Sequence, residues 1–336
     1  MLKKANKGIL ITLGLILFLT CGGPAYAEWK VKGDLDIYMF PVTYGDAILI
    51  ELPNGNLWLI DGGKIADEDG PIIGKFLMNK CAVNGKVTID TWLITHFDTD
   101  HYCGVMETIG SEEIHVNRIF HGGVGRLAGS KLGPFDPTLD ELMDINLPAD
   151  PVSGNDFARE FGKFISCAQS EDLEMFAKLD ASDYHELTDM VTDGNPDGLD
   201  IDVTLYNPPA EYRNYSGTQK TTNGNSIVIL LSVGDYDVLL AGDINKKAEK
   251  YLLNEAGFPL DDIKGVDLFK FPHHGSADHL DKFISGLMPV EVWFSPGTKD
   301  DRFPNAKWKD FLKDIHAKAL YTKTGKGLYK EITFTD

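Results

Sequence analysis

Apolar and polar positions along this chain alternate in short runs that fall into two groups. In the first group, "LDIYMF" (35–40), "AILIEL" (47–52) and "LWLI" (57–60) are rich in β-branched and aromatic residues and predict strands. "PNG" at 53–55 supplies a turn between the last two. "GPIIGKFLMN" then changes to a helical pattern, with Pro71 suited to a first helical position. "TWLIT" (91–95) is a short apolar run of the buried-strand kind, and "IHVNRIF" (114–120) predicts the next strand. The second group repeats this order. "IDVTLYN" (201–207), "NSIVILLSV" (225–233) and "YDVLLAGD" (236–243) predict a meander, with "VGDYD" as a hairpin turn. Strands "DLFKF" (267–271) and "VEVWFS" follow, alternating with helices "NKKAEKYLLNEA", "HLDKFISGL" and "NAKWKDFLKDIHAK", before a closing "LYKEITF". Two meanders, each ending in strand–helix alternation, predict an α/β fold of four layers, an αββα sandwich. Residues 122–200 break the pattern with helical stretches separated by Gly, Pro and Asp. They predict an acidic helical insertion that acts as a cap or lid.

The first 27 residues carry a different signature. Lys3, Lys4 and Lys7 precede an uncharged apolar run from Gly8 to Thr20, and Ala25-Tyr26-Ala27 is a small-x-small cleavage signal. The run is shorter than the roughly 20 residues a membrane span takes. The expectation is therefore an export leader over 1–27, a periplasmic or extracellular mature protein, and one domain over 28–336. Cys21 offers the alternative of a lipid-modified cysteine, but Thr20 stands before it where a small Gly, Ala or Ser is usual.

Composition then narrows the partners. The formal net charge of −19 becomes −22 when the three leader lysines are removed. That disfavours capture of nucleic acid or anionic lipid by the general surface. A local positive site is still open to it, because bound metal inverts the sign inside a cleft. Cys81, Cys103 and Cys167 survive cleavage, an odd number that cannot complete a disulfide framework.

Candidate chemistry sits where apolar strands end. "LITHFDTDHYCG" (93–104) places His96, Asp98, Asp100 and His101 directly after a buried run. A polar turn explains Asp and Thr there, whereas two histidines flanking two aspartates are the donor types of a metal cradle. "LLAGD" ends a strand in Asp243, and "FKFPHHGS" ends one in His273 and His274. A lone strand-end Asp suits a helix cap, and a His pair suits a polar surface. Three such clusters, all at the strand ends where open α/β sheets place ligands, point together to a metal site.

As a set these residues resemble the metallo-β-lactamase superfamily, and within it the metallo-hydrolase domain of ComEC-type competence proteins. The first motif there is usually HxHxDH; here it is His96-x-Asp98-x-Asp100-His101. "TYGDAILI" resembles the GQGDA strand at Gly45, Asp46 and Ala47, "LIDGG" supplies Asp61, Gly62 and Gly63, and "NSIVILL", "VLLAGD" and "FPHHGS" follow in order. By position the resemblance implies His96, Asp98, Asp100 and His101 as ligands, Asp243 bridging two ions, and His274 or His273 completing the second site. It implies Asp61 as a residue that orients a ligand. Two departures stand out. "TLYNPP" offers Asn207 where a histidine ligand is usual, with His121 or His185 as substitutes. "DDRFPNAKW" keeps Arg302 and Phe303 but lacks the His-Pro that follows in the family.

Asp98 and Asn207 make the first site richer in oxygen donors, which moves preference from zinc toward manganese or iron. The implied activity is an exported metal-dependent hydrolase, with one or two divalent ions lowering the pKa of a water for attack on a phosphodiester. Asp100 and Asp243 would orient that water, and Ser276, the remaining histidine of the 273–274 pair, or Arg302 would contact substrate. A small phosphodiester or nucleotide is at least as compatible with the charge as single-stranded DNA. The alternatives are a hydrolase of another ester, a thioester, lactone or β-lactam, and a degenerate, non-enzymatic metal binder. "DGNPDGLDID" (193–202) opens like a calcium loop but has Thr204 where the twelfth-position Glu belongs, so a turn is the simpler reading. Cys103, two residues past His101, is expected to be inert packing.

Overall fold

The two groups of strands form two sheets. A computed structural model describes residues 9–12, 33–64, 69–124, 156–181, 187, 199–298, 301–323 and 325–334. The first sheet runs β1 (Ile9–Thr12), β14 (Leu328–Phe334), β2 (Leu35–Met39), β3 (Ala47–Glu51), β4 (Leu57–Asp61), β5 (Val87–Ile94), β6 (Ile114–His121) and β7 (Met175–Lys178). The second runs β13 (Lys318–Tyr321), β12 (Glu291–Phe294), β11 (Leu268–Lys270), β10 (Tyr236–Leu240), β9 (Val228–Val233) and β8 (Ile201–Asn207). Each contains an antiparallel meander, β2-β3-β4 or β8-β9-β10, that continues into parallel pairing. The last strand, β14, leaves the second half and pairs with β2 in the first sheet.

Burial on both faces explains why the meander strands read as continuous apolar runs. Ile37, Met39, Ile48, Ile50, Trp58 and Ile60 pack toward Val203, Ile229, Leu231 and Leu240 of the other sheet. The alternate residues Tyr38, Leu49, Leu57 and Leu59 pack outward with Ile73, Phe76 and Leu77 of α1 (Asp69–Lys80). A third core joins the outer face of the second sheet to helices Lys246–Asn254, Asp281–Leu287 and Ala306–Asp314. Three cores separate four layers, which is the αββα sandwich expected.

The segment expected to be a helical cap is in part integral to the sheet. Helix Asp156–Ser170 packs Phe161, Phe164, Ile165 and Ala168 into the first outer core, at the i, i+3, i+4, i+7 spacing of one helical face. "MFAK" within the helical-looking "LEMFAKL" is instead strand β7, parallel to β6. The otherwise open β6 edge supplies backbone partners that outweigh the local helical pattern of so short a stretch.

Of the expected leader, only Ile9–Thr12 is described, as an edge strand antiparallel to β14. Its removal would leave β14 at the edge. Positions 193–198 of the calcium-like loop and the alternative ligand His185 lie outside the described residues, and Ile201 already begins β8. Among the described residues no helix is long and apolar enough to cross a membrane. Cys81, Cys103 and Cys167 are free thiols, and burial pushes the Cys103 thiol far up, in keeping with inert packing.

Candidate metal centre

The C-terminal ends of β4, β5, β10, β11 and β12 meet at one edge of the sandwich, and each delivers a polar side chain there. β4 ends in Asp61, whose left-handed backbone (φ 58°) turns its carboxylate under the next strand. That carboxylate accepts hydrogen bonds from the Thr95 amide (2.7 Å) and the Thr95 hydroxyl (2.8 Å). Beyond β5 the chain presents His96 and Asp98, then enters the single turn α2 (Thr99–Tyr102) with Asp100 and His101. Close approach of another loop is needed here. Gly45 has φ 84°, and a Cβ on it would lie 1.6 Å from the Asp100 carbonyl oxygen, so only glycine fits. β10 ends in Gly242 and Asp243, and the Asp243 amide donates to the Ser226 hydroxyl at 3.1 Å. β11 ends in a tight turn, Pro272–Gly275, that carries both His273 and His274.

Asp243 lies at the centre. Its Oδ2 is 3.3 Å from His101 Nε2, 3.2 Å from His274 Nε2 and 3.9 Å from His273 Nε2. His274 Nε2 is also 3.8 Å from Asp100 Oδ2, and His96 Nε2 is 3.9 Å from Asp98 Oδ2. One ligand atom from each of Asp100, His101 and His274 lies within 4.8 Å of the other two. The same holds for His96, His101 and Asp243, and for Asp46, Asp243 and His274.

Behind these groups stands a layer of supports. His101 Nδ1 is 2.8 Å from Asp61 Oδ2, and His274 Nδ1 is 3.1 Å from Ser295 Oγ and 3.3 Å from Asp46 Oδ1. Among the described residues, His96 Nδ1 meets only the Thr95 hydroxyl, at 3.1 Å. Lys270 is buried among them. Its ammonium pairs with Asp46, donates to the Gly242 carbonyl at 2.9 Å and sits 3.5 Å from Asp243 Oδ1. With its amide nitrogen turned toward Asp98, Asn223 donates to Asp98 Oδ2 at 3.1 Å.

Electrostatics follow from this packing. Burial alone would raise the Asp243 carboxyl, but His274, His101 and His273 outweigh it and hold it well below the usual carboxylate range. Burial likewise opposes charge on His274, yet Asp243 and Asp46 push it up to about 9. His101 is raised for the same reason by Asp243 and Asp61. His96 and His273 go the other way, lowered chiefly by burial. The raised histidines and the lowered Asp243 carboxyl thus favour ion pairing with one another in the metal-free cluster.

The donor set fits a divalent cation. Among the described residues, His96 Nε2, His101 Nε2, His274 Nε2 and Asp243 Oδ1 are buried without a well-formed hydrogen bond, His101 and His274 facing only Asp243 Oδ2 as ion pairs, although buried polar atoms are normally satisfied. Their opposite ring nitrogens are held by carboxylates or hydroxyls, as metal-binding imidazoles are. Asp100, His101 and His274 with Asp243 would hold one ion. His96 and Asp98 would hold a second against Asp243.

The remaining expected residues sit elsewhere. Asn207 is buried and spends its amide nitrogen on the Gly224 (3.0 Å) and Ser226 (2.7 Å) carbonyls, leaving Oδ1 without a hydrogen-bond partner. His121 accepts the Gly123 N–H at 3.0 Å and lies against Phe97 and Phe176, and burial lowers it to about 3. It joins none of the clustered sets. Asp46 entered the sequence reading only as part of a signature, and Lys270 and Ser295 did not enter it at all. A lysine inside the apolar "LFKF" was the available signal, because lysine is almost never fully buried without a charged partner.

No protein-family model matches the chain. It is 24% identical over 337 residues to ComE operon protein 3 of Bacillus subtilis (strain 168), covering 95% of this chain and 36% of that protein. The chain therefore spans little more than a third of this relative. Among solved structures it is similar to the metallo-beta-lactamase fold protein YhfI from Bacillus subtilis (9% identity, 88% of this chain, 98% of that one, TM-score 0.45). It is also similar to Zn(2+)-bound PqqB from Methylobacterium extorquens (10% identity, 88% and 99%, TM-score 0.44). The order of motifs from Asp46 to His274 agrees with the match of 95% of this chain to part of ComE operon protein 3: this chain resembles the ComEC-type branch of the metallo-β-lactamase superfamily.

Proposed function

We propose that this protein is a metal-dependent hydrolase of phosphodiesters, with small diesters or nucleotides as its substrates. The observation that carries the reading is the convergence of three orphaned imidazole nitrogens on Asp243 at the strand ends. A bound divalent ion supplies Lewis acidity and a water acidic enough to ionise near neutral pH. The chain's own residues do the rest. Asp61 and Asp46 hold His101 and His274 in one orientation, the three histidines around Asp243 keep it ionised, and Lys270 pairs with Asp46 behind them. His273 is about one-quarter exposed and held largely neutral by burial, so its ring can donate a hydrogen bond to a substrate oxygen.

The rim supports an anionic, aromatic substrate. The Phe303 ring lies 6.0 Å from His273 and 5.9 Å from His274, with the Arg302 guanidinium 5.2 Å from its centre. The Lys64 ammonium lies 5.0 Å over the Tyr44 ring, beside Gly45 and the Asp100 loop. Two cation–aromatic pairs at the mouth of an otherwise acidic protein suit a phosphate joined to a base or aryl group. The similarity to ComE operon protein 3 is compatible with single-stranded DNA as a further substrate. The test is turnover of bis-p-nitrophenyl phosphate, cyclic dinucleotides and single-stranded DNA after loading with manganese or zinc. Absence of turnover across that panel, in protein shown to hold metal, sinks the proposal. The leader-like 1–27 supports export, which N-terminal sequencing of the mature protein checks.

A further inference from the structure

The turn that carries His273 and His274 is strained. His273 (φ 46°), His274 (φ 55°) and Gly275 (φ 89°) are three consecutive residues in the left-handed region, two of them with side chains. Such a backbone persists only where its surroundings over-determine it. The main chain is tied at both ends. The His273 amide donates to the Gly242 carbonyl at 3.1 Å, and the Asn305 amide donates to the Gly275 carbonyl at 2.8 Å. Ser276, the next residue, is held three ways. Its amide donates to the His273 carbonyl at 2.8 Å, and its own carbonyl accepts Trp308 Nε1–H at 2.6 Å. Its hydroxyl is 3.0 Å from His279 Nε2.

That last contact opens a buried chain. His279 Nδ1 is 2.7 Å from Glu249 Oε1, and Glu249 Oε2 accepts the Leu280 amide at 2.6 Å. Glu249 and His279 are 0% and 2% exposed, and the His279 ring is walled by Phe271 and Trp308. No described group of the metal cluster uses this histidine or this glutamate. A buried carboxylate and imidazole far from water are costly unless they satisfy each other, as these two do. Glu249 belongs to helix Lys246–Asn254, which Asn245 caps only two residues after Asp243. The Lys246 amide also donates to the Asp278 carbonyl at 2.8 Å. The chain Glu249–His279–Ser276 therefore spans from the helix after Asp243 to the turn that carries His274.

We infer that Glu249, His279 and Ser276 form a positioning relay that locks the His274 turn against the Asp243 segment and so sets the His274–Asp243 separation that a metal ion requires. The inference rests on the metal-centre reading above. With Nδ1–H directed at Glu249, His279 Nε2 accepts the Ser276 O–H, and the hydroxyl is fixed in one rotamer. Ser276 in this role touches neither metal nor substrate. The arrangement has the residue types of a nucleophilic Ser–His–carboxylate set, which makes the distinction testable.

The experiment measures manganese and zinc dissociation constants by competition with a fluorescent chelator, together with the melting temperature of metal-free protein. The variants are Ser276→Ala, Ser276→Thr and Glu249→Gln. Leu252→Ala, in the core under the same helix, serves as a stability control. Ser276→Ala and Glu249→Gln should each weaken metal binding roughly 10-fold or more, the scale of losing an orienting partner behind a ligand. Ser276→Thr should stay near wild type, and Leu252→Ala should lower the melting temperature without changing metal affinity. Unchanged metal affinity in Ser276→Ala overturns the inference, whatever happens to stability, and that variant, lacking a single hydroxyl, decides alone if Glu249→Gln does not fold. Loss of turnover in Ser276→Ala at full metal occupancy and wild-type affinity overturns it too and places Ser276 in direct contact with substrate or the reacting groups. Wild-type protein that retains no ion fails the metal-centre reading itself, and this inference falls with it.

Discussion

The two sides of Asp243 are built to different standards. On one side, His101 and His274 each lie within 3.3 Å of Asp243 Oδ2, and each is backed by a buried carboxylate, Asp61 or Asp46. On the other side, among the described residues, His96 Nδ1 meets the Thr95 hydroxyl, with the Asp61 carboxylate one step behind it, and its partner Asp98 stands 3.9 Å away with an amide from Asn223 on it. A carboxylate behind an imidazole fixes the tautomer and raises its basicity, while a hydroxyl does less of both. Preorganisation is therefore concentrated on the Asp100–His101–His274 side. The difference teaches that one fold edge can support the two sides of a shared carboxylate unequally.

The largest expected effect comes from removing what both sides share. Asp243→Asn should abolish retention of either ion, read as metal content by elemental analysis, and survival of one full equivalent would break the comparison. Next, Asp61→Asn should weaken metal binding roughly 10–100-fold through His101. Asp98→Asn should leave the tighter equivalent in place and lower only the weaker one. Isothermal titration resolves the two, and an equal loss in both variants would show the sides to be alike.

The pH dependence should separate metal-free from loaded protein. His274 is raised from its ordinary 6.5 to about 9, so the folded state holds a proton that the unfolded chain releases earlier. That stabilisation is complete below pH 6.5 and lost as pH rises through about 9. Metal-free protein should therefore melt at lower temperature across this window. Metal affinity should rise across it, because the ion displaces the same proton. Thermal scans with and without manganese at several pH values check both slopes. The smallest effect is expected for Asn223→Ala, which removes one hydrogen bond to Asp98, worth about 1 kcal/mol or roughly fivefold in affinity at the weaker position. Asp98→His sharpens the same point, since an imidazole there should shift that position toward zinc over manganese.

Much of this was legible along the chain. The two meanders and their strand–helix continuations announced two sheets with helices outside, because strands buried on both faces are written as unbroken apolar runs. The strand-end clusters at 96–101, 243 and 273–274 were legible because metal ligands come from few residue types. β7 was not, because "MFAK" carries no period of its own and is decided by the open edge of β6. Lys270 and Asp46 lie more than 200 positions apart, and Glu249 and His279 are 30 apart; no local pattern couples such pairs.

The sequence by itself determined the layered architecture and the identity of the candidate ligands, since periodicity and donor chemistry are local properties of the chain. Only the tertiary structure decided which ligand is backed by a carboxylate and which by a hydroxyl. It also decided that Asn207 serves the backbone and that His121 sits apart among aromatic rings. Those outcomes depend on which strand ends converge and on what is left to satisfy each buried polar atom once water is gone. That accounting is settled only when the two sheets close on each other.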